Sequence, residues 1–321
     1  MLKDLHIQNY RLFEDFKMDG LARVNLIAGR NNTGKTALLE ALRILKSYGD
    51  DGVLMNIVLE REEIATTPNV SMDSIFNRTK FYGKEKPERI SASINNISIE
   101  RRKESRWNWP EFYRIIKGDN GQSEEFKINV VNQSYKFPND SAVFVPFNAE
   151  LFSMQFFWEK ISLTPLYDDV INIMGILDPR IEKLDIFSRG AKVKLTGEVE
   201  PISLKNLGEG ANRLLIIALA LVSAKNKLLL IDEFESGLHY SVQEQLWEII
   251  FEYSKKWDIQ VFATTHSMDA VRAFYYVSSR EEHKNTGKYF RLQKSRKGSI
   301  EAISFPKEDL DVVMEVGMEI R

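Results

Sequence analysis

Apolar positions along the chain fall into three regimes. Near the start, Leu5, Ile7 and Tyr10 alternate with polar residues, a period of two that predicts a half-buried strand. A short apolar run over 24–28 ends on Gly29 and predicts a second, fully buried strand. Leu38, Leu39, Leu42 and Leu45 then recur at helical spacing, so a helix is expected over 36–45, stopping before Gly49-Asp50-Asp51-Gly52. From about 53 to 140 the pattern gives way to Asn, Ser and charge, with strand-like stretches at 90–101 and 126–137. This region reads as a β-rich insertion, residues 53–140. Residues 142–147 return to a buried strand, and a helical insertion over 149–190 follows, including a helix at 167–176.

The last third alternates regularly. A helix over 209–224, a buried strand at 227–231, an amphipathic helix at 241–253, a strand at 260–264 and a helix at 268–275 succeed one another. Val242, Leu246, Ile249, Ile250 and Tyr253 share one face of the amphipathic helix. A hairpin over 288–292 and 300–305 and a helix over 308–320 close the chain. Short apolar strands separated by helices predict an α/β fold with a parallel sheet covered on both faces. No internal repeat interrupts this order, so the 321 residues read as a single unit, 1–321.

Composition narrows the chemistry. Lys and Arg total 44 against 46 Asp and Glu, a formal charge of −2. That balance argues against a polybasic protein whose affinity comes from bulk phosphate neutralisation, though not against nucleic acid met by a local patch. The absence of cysteine excludes disulfides, thiolate zinc sites, iron–sulfur clusters and cysteine nucleophiles, and fits a reducing compartment. The N-terminus alternates apolar and charged residues and so lacks the apolar stretch of a signal peptide. The longest apolar run, 214–222, is far below the roughly 20 residues of a membrane span. A soluble, cytoplasmic protein with no membrane contact is expected.

Gly29-Arg30-Asn31-Asn32-Thr33-Gly34-Lys35-Thr36 fits the phosphate-loop pattern and lies between an apolar strand and a helix. Its backbone N–H groups would form an anion nest at a helix N-terminus. Lys35 would reach the β- and γ-phosphates, the Thr36 hydroxyl would ligate Mg²⁺, and Ala37 would complete the nucleotide contacts. Leu228 to Ile231 is an apolar strand that ends on Asp232 and Glu233, where open α/β sheets bind their ligands. Asp232 is expected to hold Mg²⁺, and Glu233 to orient or deprotonate an attacking water. Gly208, Glu209 and Gly210 open the helix after Leu207 as a second anion-binding N-terminus. His266, ending the strand VFATTHS, can hydrogen-bond a γ-phosphate or the attacking water.

IQNYRLFEDF at 7–16, GRNNTGKT, LGEGANR, LLLIDEFESGLH and VFATTHS occur in an order that resembles the SMC-like branch of ATP-binding-cassette ATPases. Within that branch the chain looks most like the overcoming-lysogenization-defect (OLD) family. The resemblance implies a P-loop NTPase of ABC/SMC-head type: a mostly parallel sheet flanked by helices, with an antiparallel β lobe. It implies a homodimer or higher oligomer with shared ATP sites. The phosphate loop, Asp232, Glu233 and His266 would act from one subunit. Gly208, Glu209, Gly210 and Arg213 would close on the γ-phosphate from the other, and residues 235–239 would communicate between sites. Arg11 matches a family position near the nucleotide.

Three departures stand out. Gly208 stands where related cassettes carry a signature serine. The loop just past the strand after the insertion, 146–150, holds no glutamine, which leaves Asn148 as the candidate for that coupling role. The stretch after His266 is too short for the TOPRIM nuclease of full-length OLD proteins, so a separate nuclease or toxin chain would act as effector. The expected function is a Mg²⁺-dependent ATP hydrolase whose ATP-driven dimerisation gates a nucleic-acid-linked or antiphage-defence effector, with DNA a possible partner. The competing expectation is an ATP-binding scaffold with little turnover.

The remaining candidates have bland readings. The bases and aromatics of 101–117 read as a solvated insertion strand before they read as a base-stacking surface. Residues 294–298 read as a solvated turn. Asp168, Asp169, Asp309 and Asp311 sit at helix starts, where acids favour the dipole. His6, His239 and His283 lack metal-ligand spacing.

Overall fold

Strands buried on both faces need a side chain for each of two cores, and three segments of the chain supply them. β3 (Val24–Gly29), β12 (Leu228–Ile231) and β13 (Gln260–Thr265) are buried at every position in the computed structural model. The model describes residues 1–61, 73–77, 89–102, 112–117, 122–127, 142–148, 151–208 and 210–305. The three strands run parallel, as does β8 (Ala142–Val145) beside β12 and β14 (Gly287–Lys294) beside β3. β15 (Ile300–Phe305) adds an antiparallel edge, giving the order β15-β14-β3-β13-β12-β8.

Alternate residues of each strand enter different cores, as a period of two requires. Leu229, Ile231, Val261 and Ala263 pack with the helices α5 (Ala211–Ser223), α6 (Tyr240–Lys256) and α7 (Met268–Ser278). α3 (Leu151–Ile161) and α4 (Leu166–Met174) join that core. Leu228, Leu230, Phe262 and Ile27 face the other way, against α1 (Lys35–Lys46) and α2 (Asp51–Glu60).

The second core is closed by a six-stranded antiparallel sheet. β1 (Asp4–Tyr10) and β2 (Phe13–Asp19) continue into β4 (Arg89–Ile94), β5 (Ile97–Arg102), β6 (Phe112–Lys117) and β7 (Gln122–Lys127) in the order β2-β1-β4-β5-β6-β7. A small sheet of β9 (Ile181–Phe187), β10 (Gly190–Leu195) and β11 (Ile202–Ser203) follows α4. The result is a mostly parallel sheet flanked by helices, with a separate antiparallel sheet closing its second core.

Several local expectations change. The region from 53 begins as the helix α2, capped by the Asp50 carboxylate accepting from the Val53 N–H, because its Val, Leu, Met and Ile residues pack beneath the antiparallel sheet. The single strand expected over 90–101 is a hairpin: Asn95 takes φ 49°, a left-handed value Asn tolerates, and pairs Ile94 with Ile97 across the turn. The helical stretch ends by 174, and Ile181–Phe187 forms β9. Residues 128–137 of the expected strand and the helix over 308–320 lie outside the described residues, as do Asp309 and Asp311. Among the described residues no helix is long and apolar enough to cross a membrane.

Candidate functional site

The C-terminal ends of β3, β12 and β13 lie side by side, so Gly29, Asp232 and His266 emerge on one edge of the parallel sheet. The phosphate loop turns there into α1. Gly34 adopts φ 92°, and a Cβ in its place would lie 3.0 Å from the Phe13 ring, so both the turn and the packing demand glycine. The Thr33 hydroxyl donates to the Arg30 carbonyl at 2.8 Å. Lys35 Nζ donates to the carbonyls of Gly29 at 2.7 Å and Arg30 at 3.2 Å. Burial pushes the Lys35 pKa down, against the opposing pull of Glu233, Asp232 and Glu235.

Asp232 is 2% exposed, and both its carboxylate oxygens are engaged. The Thr36 hydroxyl donates to Oδ2 at 2.9 Å and the Thr264 hydroxyl to Oδ1 at 2.6 Å. Thr264 in turn accepts from the Glu233 N–H at 2.9 Å. One chain of hydrogen bonds thus ties the phosphate-loop threonine to the strand-end acids. Glu233 sits at φ 47°, a left-handed value uncommon for a residue with a side chain. It is held there by that bond and by the Phe234 N–H donating to the Thr264 carbonyl at 2.9 Å. Thr264 was not foreseen as a site residue. Its signal was a threonine inside an otherwise apolar buried run, where a hydroxyl needs a partner.

Thr264→Val is expected to cost about 1–3 kcal/mol of stability, since it strips partners from a buried carboxylate oxygen and a backbone N–H. Urea unfolding measures this, and an unchanged midpoint would show that the chain of bonds does no structural work.

His266 lies beside these acids. Its backbone N–H donates to Glu235 Oε1 at 2.9 Å. Its ring Nδ1 is 3.1 Å from the same oxygen and 3.9 Å from Glu233 Oε1.

Arg213 departs from its expected place. Its guanidinium is buried within its own chain and donates to the carbonyls of Pro146 and Asp232, each at 2.6 Å, and of Glu233 at 2.9 Å. Its hydrogen bonds are therefore made in cis, beneath the strand-end acids, and not held out toward a partner's phosphate. Burial pushes its pKa down to about 10, which leaves it charged at neutral pH.

Gly208 adopts φ 116°, and Gly210 starts α5. A Cβ on Gly210 would lie 2.4 Å from the Gly237 carbonyl, so the start of this helix rests on the backbone of the 235–239 loop. Glu209 lies outside the described residues. Neither described glycine lines the pocket over the phosphate loop.

That pocket has a volume of about 560 Å³ and is walled by Arg11, Asn31, Asn32, Gly34, Lys35, Thr36, Ala37 and Glu233. Arg61, Asn77, Lys294, Gly298 and Ile300 are also among its lining residues. The 294–298 turn therefore borders the pocket as well as solvent. Arg11 forms a 2.5 Å ion pair with Glu40, a buried α1 carboxylate that also holds Arg61 at 2.5 Å. Burial pushes the Glu40 pKa up and the two arginines pull against it. No sequence motif announced Arg61; only the fold brings it to the pocket.

Asn148 is exposed after β8 and does not line the pocket. Asp168 and Asp169 occupy the first turn of α4, where Asp169 also accepts from the Tyr253 hydroxyl at 2.9 Å. His239 caps α6, and His283 pairs with Glu248 at 2.7 Å. His6 pairs with Asp15 at 2.5 Å. Residues 103–111 of the basic and aromatic stretch lie outside the described residues.

Known proteins resemble this chain in sequence and in fold. Residues 1–141 match the AAA ATPase domain, and residues 168–272 match the family described as "AAA domain, putative AbiEii toxin, Type IV TA system". A Helicobacter pylori "ATP/GTP phosphatase" is 25% identical over 91% of this chain and 92% of its own. The Clostridium botulinum "DNA replication and repair protein RecF" is 22% identical over 64% of this chain and 61% of its own. Two Smc head structures share the fold. One is bound to the C-winged helix domain of ScpA, with 13% identity, TM-score 0.55 and coverage of 96% of this chain and 99% of that one. The other, bound to the C-terminal domain of ScpA derived from Pyrococcus furiosus, has 11% identity, TM-score 0.56 and 99% coverage of both. The chain is an ATPase with the fold of an SMC head, and it is similar to AAA-type ATPase domains over residues 1–141 and 168–272.

Proposed function

We propose that the protein hydrolyses ATP in a Mg²⁺-dependent way between two copies of itself, and that closing and opening of this dimer gates a separate effector. The observation that carries this reading is the hydrogen-bonded series Thr36, Asp232, Thr264 and Glu233 above the phosphate loop. Backbone N–H groups of 29–36 and Lys35 bind the phosphates. The Thr36 hydroxyl and Asp232 carboxylate, hard oxygen donors 2.9 Å apart, fit Mg²⁺. That ion would neutralise charge developing on the phosphates. Glu233 orients and deprotonates the attacking water, and His266 contacts the water or the γ-phosphate.

The glycines at 208 and 210 do not line their own chain's pocket, which supports their service to a second subunit. Arg11 and Arg61 supply positive charge on the pocket wall. An effector tied to nucleic acid or to defence is supported by relatives whose names describe DNA repair and a toxin system.

Sedimentation of the Glu233→Gln protein tests the assembly. One chain is expected without nucleotide and two with ATP and Mg²⁺; a single chain in both conditions overturns the shared site. Turnover measured with and without DNA, and with the product of a neighbouring reading frame, tests the effector.

A further inference from the structure

We propose that Glu235 is a positioning residue for the reaction: its carboxylate fixes His266 in the Nδ1-protonated state and in one orientation beside Glu233. This rests on the reading of His266 as a contact to the attacking water, whose O–H an unprotonated Nε2 can accept, and adds the group that prepares it. A carboxylate oxygen can only accept, so Nδ1, 3.1 Å from Oε1, is held beside it as a close ionic contact when that nitrogen carries the proton. The neutral ring then accepts, and cannot donate, at Nε2. Glu233, at 3.9 Å from Nδ1, is beyond hydrogen-bond reach and does not compete for that proton.

The same Oε1 accepts the His266 backbone N–H, so one atom anchors both ring and main chain. Partners of this kind fix the tautomer and direction of a functional imidazole. Glu235 is itself well placed to be rigid. Its side chain is only 10% exposed, against 48% for His266. Its loop is pinned on both sides, by the Phe234 N–H donating to Thr264 and by the Leu238 N–H donating to the Glu235 carbonyl, each at 2.9 Å. Its second oxygen, Oε2, is buried without a hydrogen-bond partner, a cost that a purely structural acid would not carry.

The bland role for Glu235 is a counter-charge for buried Arg213, and a double-mutant cycle separates the two. Glu235→Ala is expected to lower kcat about tenfold with KM for ATP within about twofold, and Glu235→Gln, whose amide oxygen still accepts, to stay within about threefold of wild type. In a His266→Ala background, Glu235→Ala should cost nothing further. Additive losses, or a Gln variant as slow as the Ala variant, overturn the positioning role alone. Wild-type turnover by His266→Ala overturns the reading of His266 itself. A second readout is independent of turnover and of any loss of fold. With four histidines in the chain, ¹⁵N-imidazole labelling should show His266 protonated at Nδ1 in the wild-type protein. A spectrum showing the Nε2-protonated form overturns the proposal.

Discussion

Glu233→Gln is expected to lower kcat by at least about 10²-fold while the protein keeps ATP bound. The change exchanges a carboxylate for an amide of the same shape, so it removes a proton acceptor and little else. The backbone at 233 is held in its left-handed conformation by Thr264 and Arg213, neither of which uses the Glu233 side chain. The variant should therefore unfold at the wild-type urea concentration. Phosphate binding is proposed to rest on the loop and Lys35, which lie on other elements, so affinity for ATP should be retained or rise. Retention of labelled ATP on the purified variant, with single-turnover hydrolysis alongside, checks both halves. Turnover at the wild-type rate would remove Glu233 from the chemistry; loss of binding would place it in the nucleotide's grip.

The parts of this site that sequence made legible are those bound by spacing along one chain segment. The phosphate loop must place glycines, lysine and threonine within eight residues of each other, and the strand ending on Asp232 and Glu233 must be apolar to its last residue. Both constraints leave a mark in the sequence. Arg61 and Glu40 leave none, because their pairing depends on α1 and α2 folding back beneath the antiparallel sheet. Thr264 was visible only as a polar residue within a motif whose neighbours had roles, and Glu235 only as one member of the 235–239 loop.

The same limit explains the helix at 51–60. Its charged flanks and the asparagine-rich stretch beyond it mask an apolar segment, and tertiary packing against the sheet settles its form. The basic turn at 294–298 shows the converse. Its composition suited solvent, yet the parallel pairing of β14 with β3 carries Lys294 and Gly298 to the wall of the pocket over the phosphate loop.

Arg213 is where the structure most changes the expectation, and its removal should be costly. Three carbonyls from two chain segments converge on one buried guanidinium, which meets them with the fork geometry that only arginine offers. Arg213→Met leaves those carbonyls buried beneath the site without that donor, and a loss of about 3 kcal/mol of stability is expected. Arg213→Lys should recover less than half of this, because an ammonium cannot span donors to Pro146, Asp232 and Glu233 together. Turnover should fall further than stability alone explains. Two of the three carbonyls belong to the residues proposed to hold Mg²⁺ and to activate water, and the φ of 47° at Glu233 is strained enough to relax once released. Had Arg213 instead reached a partner's γ-phosphate, Arg213→Met would leave the urea midpoint of the nucleotide-free protein unchanged. It would also weaken ATP-driven dimerisation alone. The two placements thus predict opposite results in the absence of ATP, where urea unfolding reads only the contacts made in cis.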